Sequence, residues 1–382
     1  MSFALNMPRL SLAGPGAVAD AVAHLKQQPV KKALIVTDKT LMELGVLNGL
    51  LAELDKAGVS SYLFDGVTPN PTANLVRKGV EIYQREGCDC FIAVGGGSPV
   101  DAAKAIRIMA SNDGDICDYN GIGKVQNHGA YFIAINTTAG TAAEMTSNSV
   151  ITDEDNKVKM VIIDPKQIPD IAVNDPELMV GLPASVTAAT GMDALTHAIE
   201  AYVTVGAYTL TDHSALESIR IISQWLPVAV EQGENLLARE KMACAQFLAG
   251  MAFNSAGLGL VHAMAHQPGA THDLPHGVCN AILLPHICAF NAAEYPEKFR
   301  AVAEAMGGDT SRLNDVQAAE LAVSLIQKLS VQVGIPSGFA ELGVGEDAIE
   351  CWIEKALNDP CYGGNPRAAS AENVRELYLQ AF

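Results

Sequence analysis

The stretch Phe91-Ile92-Ala93-Val94-Gly95-Gly96-Gly97-Ser98-Pro99-Val100-Asp101 decides how the first half of the chain reads. Its opening residues are apolar at every position, the pattern of a strand buried on both faces. Ser98 is a good N-cap, Pro99 suits the first helical position, and Asp101 completes a capping box. The unit is therefore strand, glycine turn, helix. Three glycines let a ligand approach the backbone, and the open amides of a helix N-terminus hold a pyrophosphate well. A plain β–α turn without a ligand has the same pattern. The usual G-x-G-x-x-G dinucleotide fingerprint is absent.

Working outward, residues 33–37, 131–135 and 158–163 are further apolar runs, and residues 49–57 and 73–85 are amphipathic helical stretches. Apolar strands separated by helices predict a parallel sheet covered on both faces. After about residue 180 strand signals nearly vanish, and helices are expected over 184–203, 214–230, 237–253 and 318–333. The predicted organisation is an α/β domain over residues 1–180 and an all-helical domain over 181–382. Domain junctions of this kind commonly hold ligand clefts. Two loops past strand ends fit a dinucleotide. Asp38 can accept hydrogen bonds from a ribose diol and would repel a 2′-phosphate, favouring NAD over NADP; taken alone, a simple helix cap before Lys39-Thr40-Leu41 is the readier explanation. The loop Asn136-Thr137-Thr138-Ala139-Gly140-Thr141-Ala142-Ala143-Glu144 offers hydroxyls and a glycine.

Composition narrows the partners. With 25 basic and 43 acidic residues the net charge is −18, which repels phosphate backbones and anionic lipid, so nucleic acid and membrane surfaces are poor partners. The eight cysteines include no C-x-x-C pair, and the N-terminus shows no basic-then-apolar leader. No apolar run reaches the roughly 18 residues of a membrane span. A reducing cytoplasm is the expected setting.

Five of the nine histidines, His262, His266, His272, His276 and His286, fall within one short segment. Asp193 and His197 stand four apart in an expected helix and so share a face; His262 and His266 repeat that spacing. Residues 267–275 read as a Pro- and Gly-rich turn before His276. A single histidine in such a segment is usually a satisfied core residue. Several beside a carboxylate in apolar surroundings cost on the order of several kcal/mol unless a cation relieves them. One carboxylate with imidazoles and no thiolate suits Fe(II) or Zn(II).

The run Ala189-Thr190-Gly191-Met192-Asp193-Ala194-Leu195-Thr196-His197-Ala198-Ile199-Glu200-Ala201-Tyr202 resembles the signature of the iron-containing (group III) alcohol dehydrogenases. So do Gly259-Leu260-Val261-His262-Ala263-Met264-Ala265-His266 and Leu274-Pro275-His276-Gly277, and the likeness spans nearly the whole chain. The resemblance implies a metal-dependent, NAD-linked oxidoreductase of small primary alcohols, diols and aldehydes. Within the family, Gly363-Gly364-Asn365-Pro366-Arg367 after Cys361 is similar to the members acting on lactaldehyde and 1,2-propanediol. It implies Asp193, His197, His262 and His276 as the four ligands of Fe(II), with Zn(II) as the other metal. It implies His266 as a catalytic residue near the nicotinamide, outside the ligand set. Asp38, Asn70, Gly96, Gly97, Ser98, Thr137, Thr138, Thr141 and Lys159 match NAD contacts, and Asn148, Phe253 and Cys361 match positions lining the substrate pocket. Pro268, Thr271 and His272 depart from many members, which makes His272 a rival proton carrier or an alternative ligand. A homodimer or larger homo-oligomer is expected by the same analogy. The competing readings are a glycerol dehydrogenase-like polyol oxidoreductase and a non-catalytic protein that binds nucleotide and metal.

Overall fold

The computed structural model describes residues 3–382. The chain divides into two compact units. The first comprises Asn6–Thr138 and Ala142–Met179; the second comprises Val180–Phe382 with Ala139–Thr141 and residues 3–5.

The first unit holds strands β1 (Leu10–Ala13), β2 (Lys32–Val36), β3 (Ser60–Phe64), β4 (Cys90–Gly95), β5 (Gly121–Ile122), β6 (Tyr131–Asn136), β7 (Asn148–Asp153), β8 (Val158–Ile163) and β9 (Ile171–Asn174). Its helices are α1 (Ala17–Leu25), α2 (Lys39–Glu43), α3 (Asn48–Ala57), α4 (Ala73–Arg85) and α5 (Gly97–Met109). Six strands form one parallel sheet in the order β1-β9-β6-β4-β2-β3. Alternate residues of its inner strands feed two different cores. Leu34, Val36, Phe91, Ala93 and Phe132 pack with Val76 and Ile82 of α4 and Ala102 and Ile106 of α5. Ala33, Ile35, Ile92, Val94 and Ile133 pack instead with Leu25 of α1 and Leu50 and Leu54 of α3. Burial on both faces is why these strands are apolar throughout. Edge strand β1 is exposed at alternate positions and edge strand β3 is only partly buried over most of its length, and both carry Ser and Leu together, so no apolar run announces them.

Two expectations for this unit are corrected. Residues 158–163 do form a strand, but β8 lies outside the main sheet. It sits in a separate three-stranded sheet, parallel to β5 and antiparallel to β7. The link from β7 to β8 is a tight turn containing left-handed Lys157 (φ 54°), too short for a parallel crossover. The cap of α5 also differs. The helix starts at Gly97 with Gly96 as its extended N-cap and no side-chain cap, so Ser98 is inside the helix and Pro99 is its third residue. Proline costs nothing there, because amides of the first turn have no intrahelical partner. The Asp101 carboxylate closes no capping box; it accepts the Val150 N–H of β7 at 3.0 Å.

The second unit is helical: α6 (Ala184–Val203), α7 (Thr209–Glu231), α8 (Leu236–Ala256), α9 (Leu260–His272), α10 (His276–Ala292), α11 (Pro296–Ala305), α12 (Asp315–Gln332), α13 (Ile349–Leu357) and α14 (Ala371–Gln380). Every residue of α6 from Gly191 to Val203 is buried, which makes it the central helix of this unit. The turn expected over residues 267–275 is mostly helix. Helix α9 runs through Pro268 to His272, and the break is confined to residues 273–275, where Asp273 turns left-handed (φ 53°). Pro268 lacks the N–H that would bond the Met264 carbonyl one turn back. The Tyr378 hydroxyl of α14 donates to that carbonyl instead, at 2.8 Å. Among the described residues no single helix is long and apolar enough to cross a membrane.

Candidate active site

Helix α6 presents Asp193 and His197 on one face, α9 contributes His262, and α10 opens on His276. Donor atoms of Asp193, His262 and His276 lie within 4.8 Å of one another, and His197 stands beside them. His276 Nε2 is 3.7 Å from Asp193 Oδ1, and His197 Nδ1 is 4.0 Å from Asp193 Oδ2. The rings of His197 and His262 stack at 4.6 Å, and those of His262 and His276 lie 5.3 Å apart. Gly277 makes the approach of α10 to α6 feasible: a Cβ there would stand 2.3 Å from the Ala189 carbonyl oxygen.

This cluster is rich in lone pairs and poor in hydrogens. Asn280 Nδ2 lies 2.7 Å from Asp193 Oδ1, 3.2 Å from His262 Nε2 and 3.1 Å from His276 Nε2. An amide nitrogen carries only two hydrogens, so it cannot satisfy three acceptors. His197 Nδ1 is buried with no hydrogen-bond partner at all. Behind the cluster, His262 Nδ1 donates to Glu200 Oε2 at 2.6 Å, which turns the Nε2 lone pair towards Asp193 and His276. Burial, then the neighbouring His197 and His266, hold the His262 imidazole well below its ordinary value, so it is neutral. Burial pushes the Glu200 carboxyl up to about 7 despite the Val261 N–H that it accepts at 2.6 Å. A cation among the four side chains would satisfy the orphaned nitrogen and offset the cost of a buried carboxylate.

His266 stands beside this cluster, its ring 5.4 Å from that of His276. Its Nδ1 pairs with Asp359 Oδ2 at 2.8 Å, and the Cys361 N–H donates to Asp359 Oδ1 at 2.9 Å. Burial alone would raise the Asp359 carboxyl; His266 and the Cys361 amide more than offset it and hold it below the ordinary carboxylate value. Phe253 of α8 stacks on His197 at 4.3 Å. His272 does not join the group. It is exposed, bonded to the Thr271 hydroxyl and edge-on to Trp352 at 5.6 Å, because α9 continues past Pro268 and carries it away from His262 by more than two turns.

In the first unit, Asp38, the Gly96–Ser98 turn and Thr137–Thr138 follow the carboxyl ends of β2, β4 and β6, while Lys159 lies in β8 of the smaller sheet. Gly95 (φ 152°) turns the chain out of β4, and a Cβ on Gly96 would stand 3.0 Å from Thr138 Oγ1. The amides of Gly97 and Ser98 open α5 with no side chain capping them. Asn136 ties the next loop: its Oδ1 accepts the Thr138 N–H at 3.1 Å, and its Nδ2 donates to Asn174 Oδ1 at 2.9 Å. Asn174 in turn donates to Glu144 at 2.8 Å, and the Thr137 N–H donates to the Gly95 carbonyl at 3.1 Å. Thr141 groups with the second unit. Left-handed Asn70 (φ 56°) accepts Lys159 Nζ at 2.9 Å. Asp38 caps α2, its Oδ1 accepting the Leu41 N–H at 2.9 Å, as the plain cap reading has it. Asn148, first residue of β7, is held through its carbonyl by Lys104 Nζ at 2.7 Å.

Comparison with known proteins settles the family. The model for iron-containing alcohol dehydrogenase matches residues 8–176, and that for the C-terminal region of the same family matches residues 187–382. The chain belongs to the iron-containing alcohol dehydrogenase family. It is 47% identical to 1,3-propanediol dehydrogenase of Citrobacter freundii, covering 98% of each chain. It is 44% identical to lactaldehyde reductase of Escherichia coli K12, covering 97% of each. A solved structure of 1,3-propanediol oxidoreductase superposes with a TM-score of 0.98 at 45% identity over all of both chains. The iron-containing dehydrogenase fold thus accounts for both units.

Four residues of this family member were not singled out from sequence. Glu200 lies one turn beyond His197, and Asn280 one turn beyond His276, so the i+3 and i+4 neighbours of each expected ligand were the available signal. Asp359 precedes Cys361 by two residues, with no periodicity to mark it. Lys104 is fully buried in α5, bonded to Thr146 Oγ1 at 2.9 Å. Burial lowers this ammonium and raises the Asp101 carboxyl near it.

Proposed function

We propose that the chain interconverts small primary alcohols or diols with their aldehydes, on the scale of 1,2-propanediol and lactaldehyde, using NAD and a divalent metal. One observation carries this reading: Asp193, His262 and His276 bring donor atoms within 4.8 Å of one another with His197 beside them, and the lone pairs of this group outnumber its hydrogens. These four residues would hold the cation. The hard-to-borderline donor set suits Fe(II), and Zn(II) as well.

When bound, the cation supplies Lewis acidity to the substrate oxygen, and the nicotinamide supplies or accepts the hydride. Glu200, paired with Nδ1, favours the His262 tautomer whose Nε2 lone pair would be available to a cation. Asp359 holds His266 by Nδ1 and leaves Nε2 to exchange the alcohol proton. Phe253, flat on His197, supplies an apolar wall that excludes water, with Cys361 as a further pocket residue of the same unit. The Gly96, Gly97 and Ser98 amides receive the diphosphate. Thr137, Thr138, Thr141, Asn70 and Lys159 line the rest of the dinucleotide path, and Asp38 Oδ2 accepts from the ribose. The same reading carries a cytoplasmic location and a homodimer or larger assembly.

The test is loss of NADH absorbance with Fe(II)-loaded protein and a panel of lactaldehyde, propionaldehyde and 3-hydroxypropionaldehyde. Turnover with at least one is expected. A panel with no turnover would leave only nucleotide and metal binding.

A further inference from the structure

Next to the four-residue cluster, and sharing none of its donors, the second unit holds another convergent set. A ring nitrogen of His266, a carboxylate oxygen of Asp359 and Cys361 Sγ all lie within 4.8 Å of one another. Helix α9 supplies the imidazole, and the residues just after α13 supply the other two. The Cys361 amide, bonded to Asp359 Oδ1, fixes the carboxylate and the thiol as one short unit facing the ring.

We propose that His266, Asp359 and Cys361 form a second cation site, for a thiophilic divalent ion such as Zn(II) or Cd(II), whose occupation switches the enzyme off. The donor sets separate the two sites. The first has a carboxylate and imidazoles and no sulfur; the second has one sulfur, one nitrogen and one oxygen. Soft thiolate donors favour Zn(II) and Cd(II) over Fe(II), while the sulfur-free centre suits Fe(II). Three protein donors also leave a fourth tetrahedral position to water. At rest the thiol is protonated, since burial and then Asp359 and Glu200 raise it well above its ordinary value. Binding therefore releases the thiol proton to solvent, and the bond between His266 and Asp359 gives way to a bond from each to the ion. The switching effect rests on the proton-carrying role given to His266 above; the binding site does not.

The experiment is a Cd(II) titration of the Fe(II)-loaded enzyme under anaerobic conditions, following the ultraviolet thiolate-to-cadmium charge-transfer band. Exposed Cys244 and Cys351 contribute equally to every variant and cancel in differences. Wild type should show a saturable band that Cys361→Ser and Cys361→Ala both lose. His262→Ala, altered only at the sulfur-free centre, should keep it. Asp359→Asn should weaken it by about tenfold. Equal bands in wild type and both Cys361 variants would overturn the site. Activity measured in the same titration should fall with the band in wild type, while each Cys361 variant keeps its own starting rate. A full band with undiminished wild-type activity would overturn the switch and the proton role of His266, and leave the site standing.

Discussion

The cluster on α6, α9 and α10 and the turn between β4 and α5 present their binding groups in opposite ways. The first aims side-chain lone pairs inward from three helices. The second offers backbone N–H groups of a helix start, cleared of side chains by glycine. A side-chain site is broken by deleting an atom. A backbone site is broken by adding one. The two should therefore fail differently, in metal content on one side and in nucleotide affinity on the other.

The largest expected effect is on the side-chain site. His262→Ala should cut kcat/KM by roughly a thousandfold, the several kcal/mol that Lewis-acid assistance supplies. Steady-state rates after Fe(II) loading check this, and a loss under tenfold would break the comparison. Next comes the residue behind the ligand. Glu200→Gln keeps the shape but leaves one acceptor oxygen for the two N–H groups, of Val261 and His262, that the carboxylate serves, and metal affinity should fall by about 10- to 100-fold. Competition with a chelator measures it; wild-type affinity would show that the contact does not set the ligand. On the backbone side, Gly96→Val places methyl groups against Thr138. The KM for NADH should rise by about tenfold, the order of the usual cost of overpacking, with metal content unchanged. Lost metal in that variant would show that the two sites are not separable. The smallest effect is expected for Asp38→Gly. NADP should be used relatively better, while stability falls by only about a few tenths of a kcal/mol as the cap of α2 is lost. Unchanged cofactor preference would leave Asp38 as a cap alone.

The same contrast explains what could be read from sequence. Asp193 and His197 were legible because helical spacing sets side chains on one face, and α6 obeys that spacing. The glycine turn was located for the same reason that β4 was, an apolar run ending in glycines. Its cap was misread, because Ser98, Pro99 and Asp101 have start-signal chemistry that the structure spends elsewhere, Asp101 on β7. The continuation of α9 through Pro268 was not legible, since the hydroxyl that replaces the missing N–H comes from Tyr378, 114 positions from the Met264 carbonyl that it serves. Likewise Asp359 reaches His266 across 93 positions. Local pattern finds residues whose partners are a turn away; it is blind to those supplied by a distant helix. Edge strands β1 and β3 were missed because incomplete burial erases the apolar run that marks an inner strand.

The most direct test is metal analysis of protein purified without added metal, across single alanine variants of Asp193, His197, His262, His276, His266 and His272. Wild type should carry stoichiometric metal, which the first four variants lose and the His266 and His272 variants retain. Full metal in any of the first four, or its loss in the His272 variant, would contradict the assignment of this centre.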